Sequence, residues 1–222
     1  MPSPPDVDSL RERKRRATMA AIEDAATSLV LEHGYDDVTV DQICAVAEIS
    51  KRTFFNYVAS KESAVTGSIP EDVADVDRVE FLDRADPDVP RALLSLFLAT
   101  FAAARAGDDT QTTILLQRRR EIFVQHPDLA VTRMTASSRF QLRLVHLITE
   151  LFELHPSLRR LPRVPAEAEA RACVALVAAS GNLGLSTWLT REAATLDSLN
   201  DECLTALDQL ARLVTAPTGS LQ

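Results

Sequence analysis

Apolar positions recur at helical spacing along almost the whole chain. In the first segment Ala17, Ala21, Ala25 and Leu29, with Ile22, Ala26 and Val30 beside them, mark one face of a helix that Gly34 is placed to end. Ile43, Val46 and Ala47 give a shorter face. Thr39, followed three residues later by Gln42, is the capping-box signature that opens it. Ser50 is placed to cap a third helix over Lys51 to about Val58, and Ser60 a fourth that begins with Lys61 and Glu62. Pro70 stops the fourth from running on. Beyond it the periodicity predicts helices near 89–107, 109–125, 128–154, 166–190 and 192–214. Pro87, Pro127 and Pro165 lie near their starts, where a missing amide proton costs little. Segments rich in β-formers are nearly absent. The predicted class is all-α, with about nine helices.

Two stretches break the pattern. Residues 1–9 are Pro-rich and acidic, and are expected to be disordered. Residues 71–88 hold eight acids and two arginines, which predicts a solvated face or connector. Residues 10–66 thus form one predicted domain and 67–214 a second, with 1–9 and 215–222 as flexible termini.

Composition changes this picture little. Of 222 residues, 46% are hydrophobic and 25% charged, ordinary for a chain with a sizeable core. Three scattered cysteines, Cys44, Cys173 and Cys203, make no disulfide framework and no close ligand pair, so a reducing cytoplasm is expected. The opening MPSPPDVDSL lacks the basic-then-apolar order of a signal peptide. The greasy run from Ala92 to Ala104 is too short to span a bilayer, so no membrane partner is expected.

Charge changes it more. The net charge is −8, which for the whole chain argues against a nucleic-acid partner. Residues 11–61 nevertheless carry eight bases against eight acids. The bases cluster in Arg11–Arg16 and again at Lys51, Arg52 and Lys61, whereas most acids lie between. A phosphate-binding surface is local, so these clusters matter more than the sum. The first cluster reads either as an arm along a minor groove or as a solubilising end.

The order of a Thr-capped helix, a short turn and a Ser-capped helix is a helix-turn-helix pattern. Ile43, Ala47 and Ile49 are placed to pack between the two helices. Glu48 occupies the turn position where glycine is usual. Lys51, Arg52, Thr53 and Asn56 are then candidates to meet base edges in the major groove, with Phe54 turned inward. Tyr57 and Lys61 are candidates for phosphate contacts, and Thr39 for one more through its cap.

The stretch Glu32-His33-Gly34-Tyr35, followed by VTVDQICAVAEISKRTFFNYVASKE, resembles the DNA-binding region of TetR-type transcriptional regulators. Phe54, Tyr57, Ser60, Lys61 and Glu62 match that family's aromatic pattern and its Ser-Lys-Glu; Glu48 and Val58 depart from it. The resemblance covers roughly residues 13–65. It implies a double-stranded operator as partner, a homodimer, and a carboxy-terminal domain for ligand binding and pairing. The residues themselves show no nucleophile–base arrangement, phosphate loop or well-spaced pair of catalytic carboxylates, so no catalytic or metal centre and no cofactor is expected.

In the carboxy-terminal body the apolar faces supply candidate pocket residues: Phe97, Phe101, Leu115, Phe123, Phe140 and Leu144. Packing core is the alternative for each. Arg118-Arg119-Arg120 is either a solvent face or, through Arg119, an anion anchor at a tunnel mouth. Arg119 followed by His126-Pro127-Asp128-Leu129 resembles a segment of actinobacterial TetR-type members with an acyl-CoA-like ligand domain. That makes a fatty acyl-CoA, or another long apolar anion, the leading effector.

Helices 166–190 and 192–214 read as the dimer pair. Val174, Val177, Gly181 and Leu185, with Cys173, form one stripe; Leu199, Cys203, Leu207 and Leu210 form the other, with Trp188 at the edge. The expected activity is ligand-responsive transcriptional regulation, by a repressor that leaves a palindromic operator when a small hydrophobic effector binds. Two other readings stay open: a helical lipid-binding module without a transcriptional role, and a metal-dependent enzyme around His146, Glu150 and His155.

Overall fold

The computed structural model describes residues 7–105, 107–191 and 195–215. Among these residues there are ten α-helices. They are α1 (Val7–His33), α2 (Val40–Val46), α3 (Lys51–Tyr57), α4 (Lys61–Thr66), α5 (Asp75–Arg84), α6 (Val89–Ala103), α7 (Asp109–Gln125), α8 (Pro127–Leu154), α9 (Ala166–Trp188) and α10 (Leu196–Thr215). The chain is all-α, as its periodicity predicts.

Two compact units emerge. The first comprises α1 to α4, α7 and α8 as far as Ala136. It is larger than the 10–66 segment delimited by sequence, because 104–136 packs with it. Its core is a cluster in which Ile22, Ala26 and Val30 of α1 meet Ile43 and Cys44 of α2, Phe54 of α3, Val65 of α4 and Ile122 of α7. One turn of spacing places the α1 residues on a single stripe.

The second unit comprises α5, α6, α8 from Ser137, α9 and α10. Its buried side chains include Leu93 and Leu94 of α6, Phe140, Leu144, Ile148 and Leu151 of α8, and Val174, Val177 and Trp188 of α9. α9 and α10 pack tightly. A Cβ on Gly184 would lie 2.5 Å from the Cα of Cys203, so only glycine lets the two backbones approach this closely.

Three boundaries differ from expectation. Residues 7–9 belong to α1 rather than to a disordered tail; residues 1–6 and 216–222 lie outside the described residues. Consequently Arg11–Arg16 is helical, not an extended arm, and Arg15 and Arg16 both pair with Glu12.

The acidic connector contains α5. Asp75 and Asp77 lie in its first turn, where the helix dipole favours negative charge, and Arg84 in its last. Arg78 holds Glu150 of α8, and Arg143 reaches Asp72. Ion pairs at long range thus order a segment that has little apolar periodicity of its own.

The last helix starts later than expected, at Leu196. There Thr195 Oγ1 accepts from the Ser198 amide while Ser198 Oγ accepts from the Thr195 amide. Residues 192–194 of the expected helix lie outside the described residues.

Candidate nucleic-acid interface

Each short helix of the first unit is opened by its own cap. At α2, Thr39 Oγ1 accepts from the Gln42 amide at 3.3 Å, and Gln42 Oε1 accepts from the Thr39 amide at 2.7 Å and from its hydroxyl at 2.8 Å. At α3, Ser50 Oγ accepts from the Thr53 amide at 3.0 Å and lies 2.8 Å from the Thr53 hydroxyl. At α4, Ser60 Oγ accepts from the Ser63 amide at 3.1 Å. Helices of six or seven residues are marginal alone, so caps and the shared core carry them.

The turn from α2 to α3 places Glu48 at φ 53°, a left-handed conformation that costs a residue with a Cβ. Glu48→Gly is expected to raise the unfolding free energy by about 0.5–1 kcal/mol. Urea unfolding checks this; a lower midpoint in the variant contradicts it. Lys51 Nζ lies 2.8 Å from Asp41 Oδ1 and ties α3 back to α2.

With Phe54 fully buried, Lys51, Arg52, Phe55 and Asn56 of α3 are exposed, and Thr53 and Tyr57 are half-buried. Lys51, Arg52 and Asn56 are therefore open to solvent on one side of α3. Thr39 is exposed and Thr53 half-buried, and both hydroxyls are engaged at helix starts, Thr39 Oγ1 with Gln42 and Thr53 Oγ1 with Ser50. Tyr57 packs against the core cluster. Lys61 is held: its ammonium donates to Tyr35 O at 2.7 Å and to Val38 O at 2.8 Å, 4.0 Å from the Tyr35 ring centre. It fastens the segment between α1 and α2, which leaves one of its three N–H donors for a phosphate. Phe55, which helical spacing reads as core beside Phe54, is exposed instead. Its signal was an aromatic next to an aromatic, and only the buried one of the two could belong to the core.

The carboxyl end of α4 is clamped by two arginines. Arg119 of α7 donates through Nε to Val65 O at 3.0 Å, and its Nη2 lies 3.1 Å from Glu23 Oε2 without hydrogen-bond geometry. Arg133 of α8 donates to Thr66 O at 2.6 Å and Gly67 O at 3.1 Å. Burial, then the charge of Arg119, pushes Arg133 down to about 10, against the pull of Glu23; it stays cationic at neutral pH. Arg118 pairs with Asp24 at 2.8 Å. Two guanidinium groups thus face one buried carboxylate and the negative end of α4.

This corrects the reading of Arg119 as an anion anchor: its side chain is 11% exposed and already matched by Glu23. The proposed pocket residues also divide. Leu115, Arg119 and Phe123 belong to the first unit, Phe97, Phe101, Phe140 and Leu144 to the second. In the second unit the three rings stack as a trio, with centroids 4.7 Å apart for Phe97–Phe101, 5.7 Å for Phe101–Phe140 and 6.0 Å for Phe97–Phe140. A groove of about 410 Å³ between α5 and α6 is lined by Phe81, Ala92, Leu96, Asp77, Asp86 and Arg91, among others, and by none of the proposed pocket residues.

The proposed dimer stripes are corrected as well. Val174, Val177, Leu199, Cys203 and Leu207 are buried within the protomer, Gly181 lies against Phe97, and Leu185 and Leu210 are half-buried. These residues form the seam of the α9–α10 hairpin and its packing on α6, so a partner cannot reach most of them. Trp188 is also fully buried; its indole N–H donates to Thr195 O at 2.7 Å and closes the turn between the two helices. The opposite face of α9 exposes Ala168, Ala172, Ala175, Ala179 and Leu183. In the metal reading, Glu150 is occupied by Arg78. Among the described residues no helix is long and apolar enough to cross a membrane.

Residues 22–63 match the model for bacterial regulatory proteins of the tetR family. The chain is 32% identical over 123 residues to MftR of Mycobacterium tuberculosis, a protein named as a mycofactocin biosynthesis transcriptional regulator. That match covers 55% of this chain and spans 60% of the relative's length. It is 27% identical over 210 residues to the HTH-type transcriptional regulator TcmR of Streptomyces glaucescens, covering 94% of this chain and 89% of TcmR. Among solved structures, a TetR-family regulator from Syntrophomonas wolfei aligns over 95% of this chain and 100% of its own, at 15% identity and a TM-score of 0.46. The matched segment holds the three caps, the Glu48 turn and the exposed face of α3, and over it the chain is similar to the tetR family of bacterial regulatory proteins.

Proposed function

We propose that this protein is a cytoplasmic repressor that binds a near-palindromic operator as a homodimer and leaves it when a small hydrophobic effector binds. The observation that carries the proposal is the exposed face of the Ser50-capped helix, where Lys51, Arg52 and Asn56 stand out beside a fully buried Phe54. A helix held in this way is suited to a major groove. The acidic remainder of the chain disfavours indiscriminate coating of DNA, which suits a selective binder.

Binding of genomic upstream fragments, followed by fluorescence anisotropy at fixed salt, tests the DNA reading. Wild-type protein should select a small set of fragments; binding none of them refutes it. Arg52→Ala should lower the dependence of log K on log salt by about one if Arg52 meets a phosphate. An unchanged slope removes Arg52 from the backbone contacts.

Pairing through the exposed small-residue face of α9 fits the burial pattern better than the stripes chosen from sequence. Ala175→Arg places a long cation on that face and is expected to convert dimer to monomer in sedimentation equilibrium without changing helix content. A dimer that persists excludes this face.

The effector reading rests on the apolar trio of Phe97, Phe101 and Phe140. An acyl-CoA would need a cationic anchor other than Arg119, which Glu23 neutralises, and the α5–α6 groove carries an acidic rim unsuited to an anion. An effector must bind the low-affinity conformation better, otherwise it shifts nothing. Release of operator by saturating long-chain acyl-CoA, in the anisotropy assay, distinguishes that class from uncharged apolar molecules.

A further inference from the structure

α3 carries a large apolar side chain where a DNA-reading helix otherwise carries polar ones. Phe55 is 55% exposed, while its neighbour Phe54 is fully buried. The two rings meet edge to face, with centroids 5.2 Å apart and planes at 86°. The buried ring is fixed by the core, so the exposed ring rests on a rigid support and keeps few alternative rotamers. Exposing a phenylalanine on a short helix costs free energy unless something covers it in use.

The angular order of the helix shows what would cover it. At about 100° per residue, Lys51, Phe55, Arg52 and Asn56 follow one another round an arc of roughly 140°. All four are exposed, and Thr53, Phe54 and Tyr57 fill the remaining, half-buried or buried side. Phe55 therefore stands between Lys51 and Arg52, inside the face assigned to DNA, not at its edge. The major groove offers one apolar feature to such a ring, the C5-methyl group of thymine.

We propose that Phe55 is a specificity-determining residue that packs on a thymine C5-methyl in each operator half-site. This rests on the DNA-binding reading above. The basic and amide neighbours fix the helix on phosphates and base edges, and the ring then discriminates thymine from cytosine at one position by contact with a group that only thymine presents.

The test uses the full-length protein and an operator fragment recovered by binding selection. Each thymine is replaced singly by deoxyuridine, which removes the methyl and leaves the pairing edge intact. Wild-type affinity should fall about three- to fivefold at one thymine per half-site, the worth of one buried methyl group. Phe55→Ala should bind the natural operator more weakly and lose its response to that same replacement. Wild-type protein indifferent to every replacement overturns the proposal, and needs no variant to show it. A Phe55→Ala protein that still responds at that thymine, with unchanged helix content, overturns it as well. If the wild-type protein selects no fragment at all, the DNA reading fails and the Phe55 assignment with it; selection without a thymine-methyl effect refutes the assignment alone.

Discussion

Glu23→Ala is expected to lower the unfolding free energy by about 3–5 kcal/mol, the range found when one partner is removed from a buried ion pair. Glu23 is 7% exposed and Arg119 11% exposed. The local charge makes this carboxylate unusually important. Arg119 lies 3.1 Å from it, Arg133 feels its charge, and Arg133 donates to the carbonyl oxygens of Thr66 and Gly67 at the end of α4. Without Glu23 two guanidinium groups share a poorly solvated site with no anion between them. The removal of Glu167 from its exposed pair with Arg171 should instead cost under about 1 kcal/mol. Urea denaturation of both variants separates the cases, and equal small losses would show that solvent reaches Arg119. Because Glu23 and Arg119 touch, their single-variant costs should not add. The Glu23→Ala/Arg119→Ala double variant should be more stable than the sum of the two losses predicts by at least about 1 kcal/mol.

The contrast between caps and clamp explains what could be read from the chain and what could not. Thr39 with Gln42, Ser50 and Ser60 act on amides three residues away, so their pattern is visible in any window of the sequence. The matching of Arg119 to Glu23 joins α7 to α1, which are far apart in the sequence, and nothing local in Arg118-Arg119-Arg120 marks which of the three turns inward. α5 was hidden for the same reason: the pair that holds it, Arg78 with Glu150, spans 72 positions. Periodicity identified the apolar stripes of α9 and α10 correctly as stripes. It does not tell whether a stripe is covered by the neighbouring helix of the same chain or by a second chain, and here the hairpin covers it. Phe55 escaped for the opposite reason, since an apolar residue within a helical pattern reads as core until its exposure is known.

Gly67→Ala should be nearly as damaging as loss of Glu23, although it removes nothing. Gly67 ends α4 at φ 84° and ψ 158°, a region that residues with a Cβ scarcely enter, at a cost of about 1–3 kcal/mol. The added methyl would also lie 2.5 Å from Arg119 Cζ and 2.7 Å from its Nη2. A guanidinium at the end of a flexible side chain can usually step aside cheaply. This one cannot do so without leaving Glu23 and the Val65 carbonyl, so its displacement adds part of the ion-pair loss. The sum is an expected destabilisation of about 2–4 kcal/mol. Gly34 provides the comparison. It has almost the same φ, 88°, yet nothing lies within 4 Å of where its Cβ would stand. Gly34→Ala should therefore show the backbone cost alone, about 1–2 kcal/mol. The decisive measurement is a double-mutant cycle. In an Arg119→Ala background, Gly67→Ala should cost only its backbone share, about 1–3 kcal/mol, because the guanidinium it would strike is gone. If Gly67→Ala costs the same with and without Arg119, the end of α4 is set by its backbone alone, and the arginine clamp only follows it.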